Sequence, residues 1–174
     1  MLAQGGVVAY PTEAVWGLGC DPENSEAVGE ILTIKGRDVS KGLILLASTI
    51  AMFEPYLTLL TSEQCKQMAN TWPGPITWLV PNNGVAPNWI TGGQATLAIR
   101  VSAHPIAAAL SQEFGGPVVS TSANPQGLPA ALSLTKVKAY FGNNIDACTP
   151  GHIGSGSKPS EIRDLLSGRI IRPG

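Results

Sequence analysis

The chain has 174 residues, of which 44% are hydrophobic and 13% are charged, and its formal net charge is −1. This composition excludes intrinsic disorder, which needs low hydrophobicity and high net charge, and a coiled coil, which is rich in Glu, Lys and Leu. The lack of a basic excess argues against a protein that wraps nucleic acid through charge alone, so any polyanion site must be a local patch.

The N-terminus and the cysteines indicate a protein of the reducing cytoplasm. The opening residues, MLAQGGVVAYPTE, contain neither a basic segment nor an apolar run of signal-peptide length. No apolar run approaches the roughly 18 residues that a membrane span needs. Cys20, Cys65 and Cys148 are far apart and odd in number, which argues against a disulfide framework and a structural zinc site. We therefore expect a cytoplasmic protein without a membrane partner.

Strand patterns and helix patterns alternate along the chain. Short apolar runs predict strands at 6–11, 42–47, 76–81, 96–102, 117–121 and 169–172. Helical spacing, capping residues and a starting proline predict helices at 25–34, 61–70, 105–114, from Ser133 or Thr135 to 141, and 160–166. This alternation predicts an α/β protein. We expect one domain over residues 1–174, with helices packed on an open, twisted sheet of parallel and antiparallel strands.

Three cations are concentrated just after the first predicted helix. Residues 1–34 contain no Lys or Arg, and Lys35, Arg37 and Lys41 then occur within seven positions. One interpretation is that cations complement the dipole at the C-terminus of a helix. The other is a clamp for a polyphosphate or a carboxylate. The spacing by itself leaves both interpretations open.

Arg100 is the only cation in residues 67–135, and it lies within a predicted strand. If Leu97 and Ile99 face one side of the sheet, Thr96 and Arg100 share the other. A buried arginine without a partner is costly. Arg100 therefore either pairs with a distant acid or belongs to an anion site in a cleft, with Thr96 beside it. The local scarcity of acids favours the anion site.

Polar side chains also lie at or just beyond the ends of several predicted strands. They are Thr12, Ser120, Ser122, Asn124 and Arg172. Ligands of α/β sheets bind beyond the carboxyl ends of strands, but Ser and Asn also form turns with local hydrogen bonds. Taken alone, the Ser/Asn segment favours the turn. The sequence lacks a phosphate-loop motif, a nucleophile elbow and clustered metal ligands, so the remaining chemistry is anion binding by hydroxyl and guanidinium groups.

Six short segments occur together along essentially the whole chain. They are YPTEAVWGLG at 10–19, KGR at 35–37 with KGL at 41–43, WPGPIT at 72–77, LAIR at 97–100 with HP at 104–105, STSAN at 120–124 and IRPG at 171–174. Each segment alone is weak evidence of kinship, but six segments in this order and spacing are specific evidence of it. In these segments the chain closely resembles the YrdC/TsaC family of threonylcarbamoyl-AMP synthases, in its short bacterial form.

The resemblance implies a YrdC-type α/β fold with a positive concave face. It implies an ATP-dependent nucleotidyltransferase that converts L-threonine, bicarbonate and ATP to L-threonylcarbamoyladenylate and pyrophosphate. Proteins of a threonylcarbamoyl-transfer complex then use this product to modify tRNA. The resemblance also implies that ATP brings Mg²⁺, with no metal held tightly by the chain. The alternative function is a non-catalytic factor that binds double-stranded RNA or tRNA, or that acts in ribosome maturation.

The resemblance also assigns roles to residues. It makes Lys35 and Arg37 the catalytic residues that hold the ATP phosphates, with Lys41 as a helper. The remaining ATP-binding residues are Thr96, Ser122, Asn124 and Arg172. The threonine-binding residues are Thr12, Arg100, Ser120 and Ser160, and Arg100 would bind the substrate carboxylate in a bidentate pair. Such a reaction needs positioning and charge neutralisation more than a protein nucleophile.

Two departures from the family pattern raise further expectations. Asp38 stands where many members have proline, which puts a carboxylate beside the expected phosphate clamp and would weaken or redirect it. Members usually have a helix before the YPT strand, whereas Met1 lies just before that strand here. We therefore expect that the N-terminal helix is missing or shortened.

Overall fold

The computed structural model describes residues 1–156 and 158–174. Within them, nine strands form one sheet in the order β7-β1-β2-β6-β3-β5-β4-β8-β9. The strands are β1 Val8–Pro11, β2 Trp16–Gly19, β3 Ile44–Ala47, β4 Ile76–Pro81, β5 Thr96–Val101, β6 Val118–Ser122, β7 Ala147–Cys148, β8 Glu161–Asp164 and β9 Ile170–Arg172. Three pairs, β3–β5, β4–β8 and β1–β7, are parallel, and the others are antiparallel. The predicted mixed α/β sheet is therefore confirmed.

Five α-helices and three 3₁₀ segments occur in the described part of the chain. The helices are α1 Ser25–Lys35, α2 Ser62–Ala69, α3 Asn88–Thr91, α4 Pro105–Phe114 and α5 Leu134–Phe141. The 3₁₀ segments are Leu2–Gln4, Val39–Lys41 and Ile50–Tyr56. None of these helices combines the length and the apolar composition needed to cross a membrane.

Local capping chemistry explains where several helices begin and end. Thr61 and Gln64 form the predicted capping box at the start of α2, each side chain accepting from the backbone N–H of the other residue. The helix α4 begins at Pro105 and ends before Gly115, whose φ of 87° is the left-handed conformation that glycine adopts easily. Ser133 caps α5 by accepting from the N–H of Lys136 at 3.2 Å.

The helix predicted from Ser160 is wrong, because these residues form β8. Residues 161–164 pair in parallel with β4 residues 76–79, and the N–H of Glu161 donates to the carbonyl of Pro75 at 3.0 Å. The Ser160 hydroxyl is 2.8 Å from the hydroxyl of Thr77 instead of capping a helix. The open edge of β4 supplies backbone partners that a local helical pattern does not reveal.

Strand β2 was not predicted, because its sequence WGLG is short and contains two glycines. All four of its residues are buried, and it pairs with β1 and β6. A Cβ atom on Gly19 would lie 2.5 Å from the carbonyl oxygen of Val119. Glycine is therefore needed at this position for the close approach of two strands.

The two faces of the sheet are packed differently. The larger core contains Leu97 and Ile99 of β5, together with Trp16, Leu45 and Trp78. On the opposite face, a smaller cluster that includes Tyr10, Leu46 and Val118 packs with Ala107 of α4. The helix α4 contacts β1 and β3, and a cleft lies over β5, β6, β4 and β8.

Candidate active site

The cleft has a volume of about 460 Å³ and contains most of the predicted site residues. Those that line it are Thr12, Arg37, Lys41, Thr96, Arg100, Ser120, Ser122, Asn124, Ser160 and Arg172. Lys35 lines a smaller cavity of about 170 Å³ that shares Arg37, Lys41, Ser122 and Asn124 with the cleft. The fold therefore brings all eleven residues into two adjoining cavities, and their individual roles stay predictions.

The cleft concentrates positive charge. The chain has eleven Lys and Arg residues in total. Five of them line the cleft, against one carboxylate, Glu13, among the described lining residues. These cations are Arg37, Lys41, Arg100, Lys158 and Arg172. Burial lowers the pKa of Arg172, and the like charges of Arg100 and Arg37 lower it further. Converging cations favour an anionic ligand, while the predicted positive face beyond the cleft stays a prediction.

Strand β5 has the alternation that its sequence predicted. Leu97 and Ile99 are in the core, and Thr96, Ala98 and Arg100 line the cleft. The pairing of Arg100 with a distant acid is confirmed, and Arg100 also borders the cleft, where an anion site stays a prediction. Its Nη2 atom is 2.5 Å from Oε2 of Glu13, and its Nε–H donates to the carbonyl of Gly74 at 3.0 Å.

Glu13 is held from both sides. Its Oε1 accepts from the hydroxyl of Ser102 and from the N–H of Ala103, both at 2.9 Å. Burial acts to raise the pKa of Glu13, but the Arg100 charge and the hydrogen bonds outweigh burial and hold that pKa below its usual value. Glu13 therefore remains ionised next to Arg100.

Lys35 and Arg37 lie where α1 ends. Lys35 is only 4% exposed, and its ammonium donates to the backbone carbonyls of Ser122 and Asn124, at 2.7 Å in the case of Asn124. Burial, aided by the Arg37 charge, lowers the pKa of Lys35 to about 8. Arg37 donates from Nη2 to the Gly42 carbonyl at 2.9 Å, while its buried Nε has no partner among the described residues.

Asp38 does not point into either cavity. Its carboxylate accepts from the N–H of Ser40 at 2.8 Å and caps the 3₁₀ segment Val39–Lys41. It is exposed and belongs to the lining of neither cavity. The predicted interference of Asp38 with a phosphate clamp stays untested.

The hydroxyl groups of the site are already partly engaged. Thr12 donates its hydroxyl proton to the carbonyl of Val15 at 2.7 Å, so towards the cleft its oxygen can act only as an acceptor. Ser122 donates to Oδ1 of Asn124 at 2.6 Å, which fixes the orientation of that amide. Arg172 donates to the Ser160 carbonyl at 2.6 Å, which links the ends of β8 and β9.

A glycine-rich segment closes one wall of the cleft. The N–H of Gly154 donates to the carbonyl of Thr12 at 2.9 Å, and that of Gly156 to the carbonyl of Glu13 at 2.8 Å. Added Cβ atoms at Gly154 and Gly156 would lie 2.9 and 2.8 Å from the Glu13 carbonyl oxygen. Lys158 follows this segment and lines the cleft. Sequence reasoning missed Lys158, since a single lysine after a loop carries no pattern.

Comparisons with known proteins identify the family of the chain. Residues 1–174 match the Sua5_yciO_yrdC family model, which is described as "Telomere recombination". The threonylcarbamoyl-AMP synthase of Cellvibrio japonicus (strain Ueda107) is 54% identical over 99% of this chain and 92% of its own length. That of Halorhodospira halophila (strain DSM 244 / SL1) is 52% identical over 98% of this chain and 90% of its own length.

A solved structure extends the comparison to the fold. The crystal structure of P. abyssi Sua5 complexed with L-threonine superposes with a TM-score of 0.92 at 32% identity. The match covers 99% of this chain and 52% of the P. abyssi chain, so our chain spans about half of that protein. The chain therefore belongs to the Sua5/YrdC family of threonylcarbamoyl-AMP synthases.

Proposed function

We propose that the cleft converts L-threonine, bicarbonate and ATP to L-threonylcarbamoyladenylate and pyrophosphate. The observation that carries this proposal is the convergence of Arg37, Arg100 and Arg172 on one cleft, in a chain whose net charge is −1. ATP and threonine together present phosphate and carboxylate groups, which guanidinium groups bind well. The relatives' names and the threonine complex of P. abyssi Sua5 support the same assignment.

We assign the ATP phosphates to the end of the cleft next to Lys35, Arg37 and Lys41. This end includes the smaller cavity, whose described lining residues contain three cations and no carboxylate. Arg37 lines both cavities, where its guanidinium group can donate to a phosphate oxygen. The amide of Asn124 and the hydroxyl of Ser122 border the same cavity. Thr96 and Arg172, which line the larger cleft, complete the proposed nucleotide site.

We assign L-threonine to the end of the cleft that contains Arg100 and Thr12. Arg100 binds the carboxylate, and the Thr12 hydroxyl oxygen accepts from the substrate ammonium or hydroxyl because its own proton is engaged with Val15. Ser120 and Ser160 line the same cleft and add further polar groups.

The reaction then follows from positioning. The threonine ammonium group first releases a proton to solvent. The amine nitrogen then forms a bond to the bicarbonate carbon while a C–O bond of bicarbonate breaks and water leaves, which gives a carbamate. A carbamate oxygen attacks the α-phosphorus of ATP, and the bond from that phosphorus to the bridging oxygen breaks to release pyrophosphate. The cations at the phosphate end stabilise the charge that develops on the phosphoryl oxygens, and binding at both ends aligns the two reactants.

Mg²⁺ and the downstream partners are part of this proposal. Glu13, the carboxylate of the larger cleft, is engaged by Arg100, Ser102 and Ala103, so phosphate and water oxygens would be the main Mg²⁺ ligands. Bound in this way, Mg²⁺ would neutralise phosphate charge. Transfer of the product to tRNA by partner proteins, direct contact with tRNA or double-stranded RNA, and a cytoplasmic location stay predictions.

The test is pyrophosphate release by the purified chain with ATP, Mg²⁺ and bicarbonate, measured with and without L-threonine. We expect release that depends on threonine and on bicarbonate, and that is retained in Lys136→Ala, which removes an exposed cation of α5 as a control. No release from a folded sample would contradict the proposal. A steep loss of RNA binding with salt in the same inactive sample would support the non-catalytic alternative.

A further inference from the structure

We infer that Glu13 is a positioning residue, which fixes the Arg100 guanidinium so that its unpartnered N–H groups face the substrate carboxylate. The inference rests on the proposed function, and it adds a residue to which no role in the reaction was assigned above. Glu13 acts through Arg100, so it differs from the residues that contact the substrate.

The contacts of Arg100 leave one part of its guanidinium available. Nε–H donates to the Gly74 carbonyl, whereas the contact of Nη2 with Glu13 Oε2 is an ion pair without a hydrogen bond, since Oε2 accepts none from the described residues. Neither Nη1 nor Nη2 donates a hydrogen bond to an acceptor among the described residues. The N–H groups of Nη1 and Nη2 therefore remain for a ligand. A carboxylate can bind these two nitrogens in the bidentate geometry typical of arginine.

Glu13 is rigid enough to act as an anchor. Its Oε1 accepts hydrogen bonds from Ser102 and Ala103, and its buried Oε2 forms the ion pair with Arg100. Its backbone carbonyl accepts from the N–H of Gly156. The side chain is 18% exposed, and its depressed pKa makes it a poor general base at neutral pH. Orientation of Arg100 is therefore the role that these contacts support.

Glu13 need not leave when a substrate carboxylate arrives. Glu13 and a substrate carboxylate would compete only if both bound the same N–H groups of Arg100. Nη1 has no protein partner among the described residues, so the substrate can bind there while Glu13 stays in place. The Glu13 charge also offsets one of the converging cations. Arg100 therefore presents an oriented donor pair whose own charge is offset by Glu13, which suits the single carboxylate of a zwitterion.

The substitution Glu13→Gln tests this role because it changes donors and acceptors with almost no change in volume. A glutamine has one acceptor oxygen and one donor nitrogen. If its nitrogen faces Arg100, two donors oppose each other, and if it faces Ser102 and Ala103, the amide N–H of Ala103 loses its acceptor. Either orientation shifts Arg100 or loosens its anchor.

The experiment is a double-mutant cycle on kcat/KM for L-threonine, read from pyrophosphate release. We expect Glu13→Gln to lower kcat/KM for threonine about tenfold, mainly through KM, and to change KM for ATP less than twofold. In an Arg100→Ala background, Glu13→Gln should lower kcat/KM for threonine little further, because the group through which Glu13 acts is gone. Glu113→Gln, on the exposed surface of α4, is the matched control and should leave kcat/KM for threonine unchanged.

Three outcomes separate the inference from the proposed function. No threonine binding by the unaltered chain in calorimetry, together with no turnover, would overturn the proposed function itself. The positioning role would be overturned if the unaltered chain is active and Glu13→Gln lowers kcat/KM for threonine equally in the wild-type and Arg100→Ala backgrounds. Tighter threonine binding by Glu13→Gln would also overturn it. If Glu13→Gln does not fold, Ser102→Ala replaces it in the cycle, with an expected loss of about threefold that again disappears in Arg100→Ala.

Discussion

The two ends of the cleft use positive charge in opposite ways. At the end with Lys35, Arg37 and Lys41, the cations are held by backbone carbonyls and an amide, and the described lining of the smaller cavity contains no carboxylate. At the other end, Arg100 is paired at 2.5 Å with Glu13. The first end has cations with no carboxylate among the described lining residues of its cavity, whereas at the other end Arg100 itself is paired with a carboxylate.

This difference matches the two substrates proposed for the cleft. A triphosphate carries several charges spread over many oxygens, so it is bound by summed charge more than by the direction of any single donor. A zwitterionic amino acid carries one carboxylate next to an ammonium group, and unopposed positive charge would repel the ammonium. A paired arginine therefore suits the amino acid, and the predictions below test this contrast.

The largest effect is expected at the end with Lys35, Arg37 and Lys41. Arg37→Ala should lower kcat/KM for ATP about 100-fold or more, because it removes a charge-assisted donor from the phosphates. The fold should survive, since the variant also removes a buried Nε–H that lacks a protein partner. Initial rates at varied ATP and a thermal melt check both statements. An ATP dependence like that of Lys136→Ala would contradict the assignment.

The second effect tests the end with Arg100. Arg100→Ala should lower kcat/KM for threonine about 30-fold through the loss of a charge-assisted pair, with less than threefold change in KM for ATP. Rates measured at varied threonine and at varied ATP separate the two substrates. A defect selective for ATP would reverse the assignment of the two ends.

A smaller effect is expected from the wall that borders Glu13. Gly156→Ala puts a Cβ atom 2.8 Å from the Glu13 carbonyl oxygen, so the segment must move away from the turn after β1. We expect kcat/KM for threonine to fall about fivefold, since even a modest misplacement of Glu13 lowers the reaction rate. Gly116→Ala, where a Cβ atom meets nothing within 4 Å, is the matched control. Equal effects of the two substitutions would show that the wall does not position the site.

The smallest effect concerns pH at the phosphate end. Burial lowers the pKa of Lys35 to about 8, so the ammonium is charged below that pH and loses its charge above it. KM for ATP should therefore rise about threefold as the pH increases through 8. In Lys35→Met this rise should be absent, and KM for ATP should be higher than that of the unaltered chain at every pH. A wild-type profile that stays flat through pH 9 would exclude a charge contribution from Lys35.

Much of the fold could be predicted where the information is local. The capping box of α2, the proline start and glycine end of α4, and the alternation in β5 all depend on residues close together in the chain. The clustering of Lys35, Arg37 and Lys41 in a charge-poor chain is local too, and it made an anion site one of two interpretations. The resemblance in six segments then indicated which other side chains join that site.

What the sequence by itself determined was therefore the local elements, the class of the sheet and the chemical types available to the site. Only the tertiary structure decided that residues 161–164 form a strand beside β4, and that Glu13 is the acid that pairs with Arg100. The physical reason is the same in both cases. A strand edge and an ion pair take their energy from partners more than 80 positions away, and such partners leave no pattern in the local sequence.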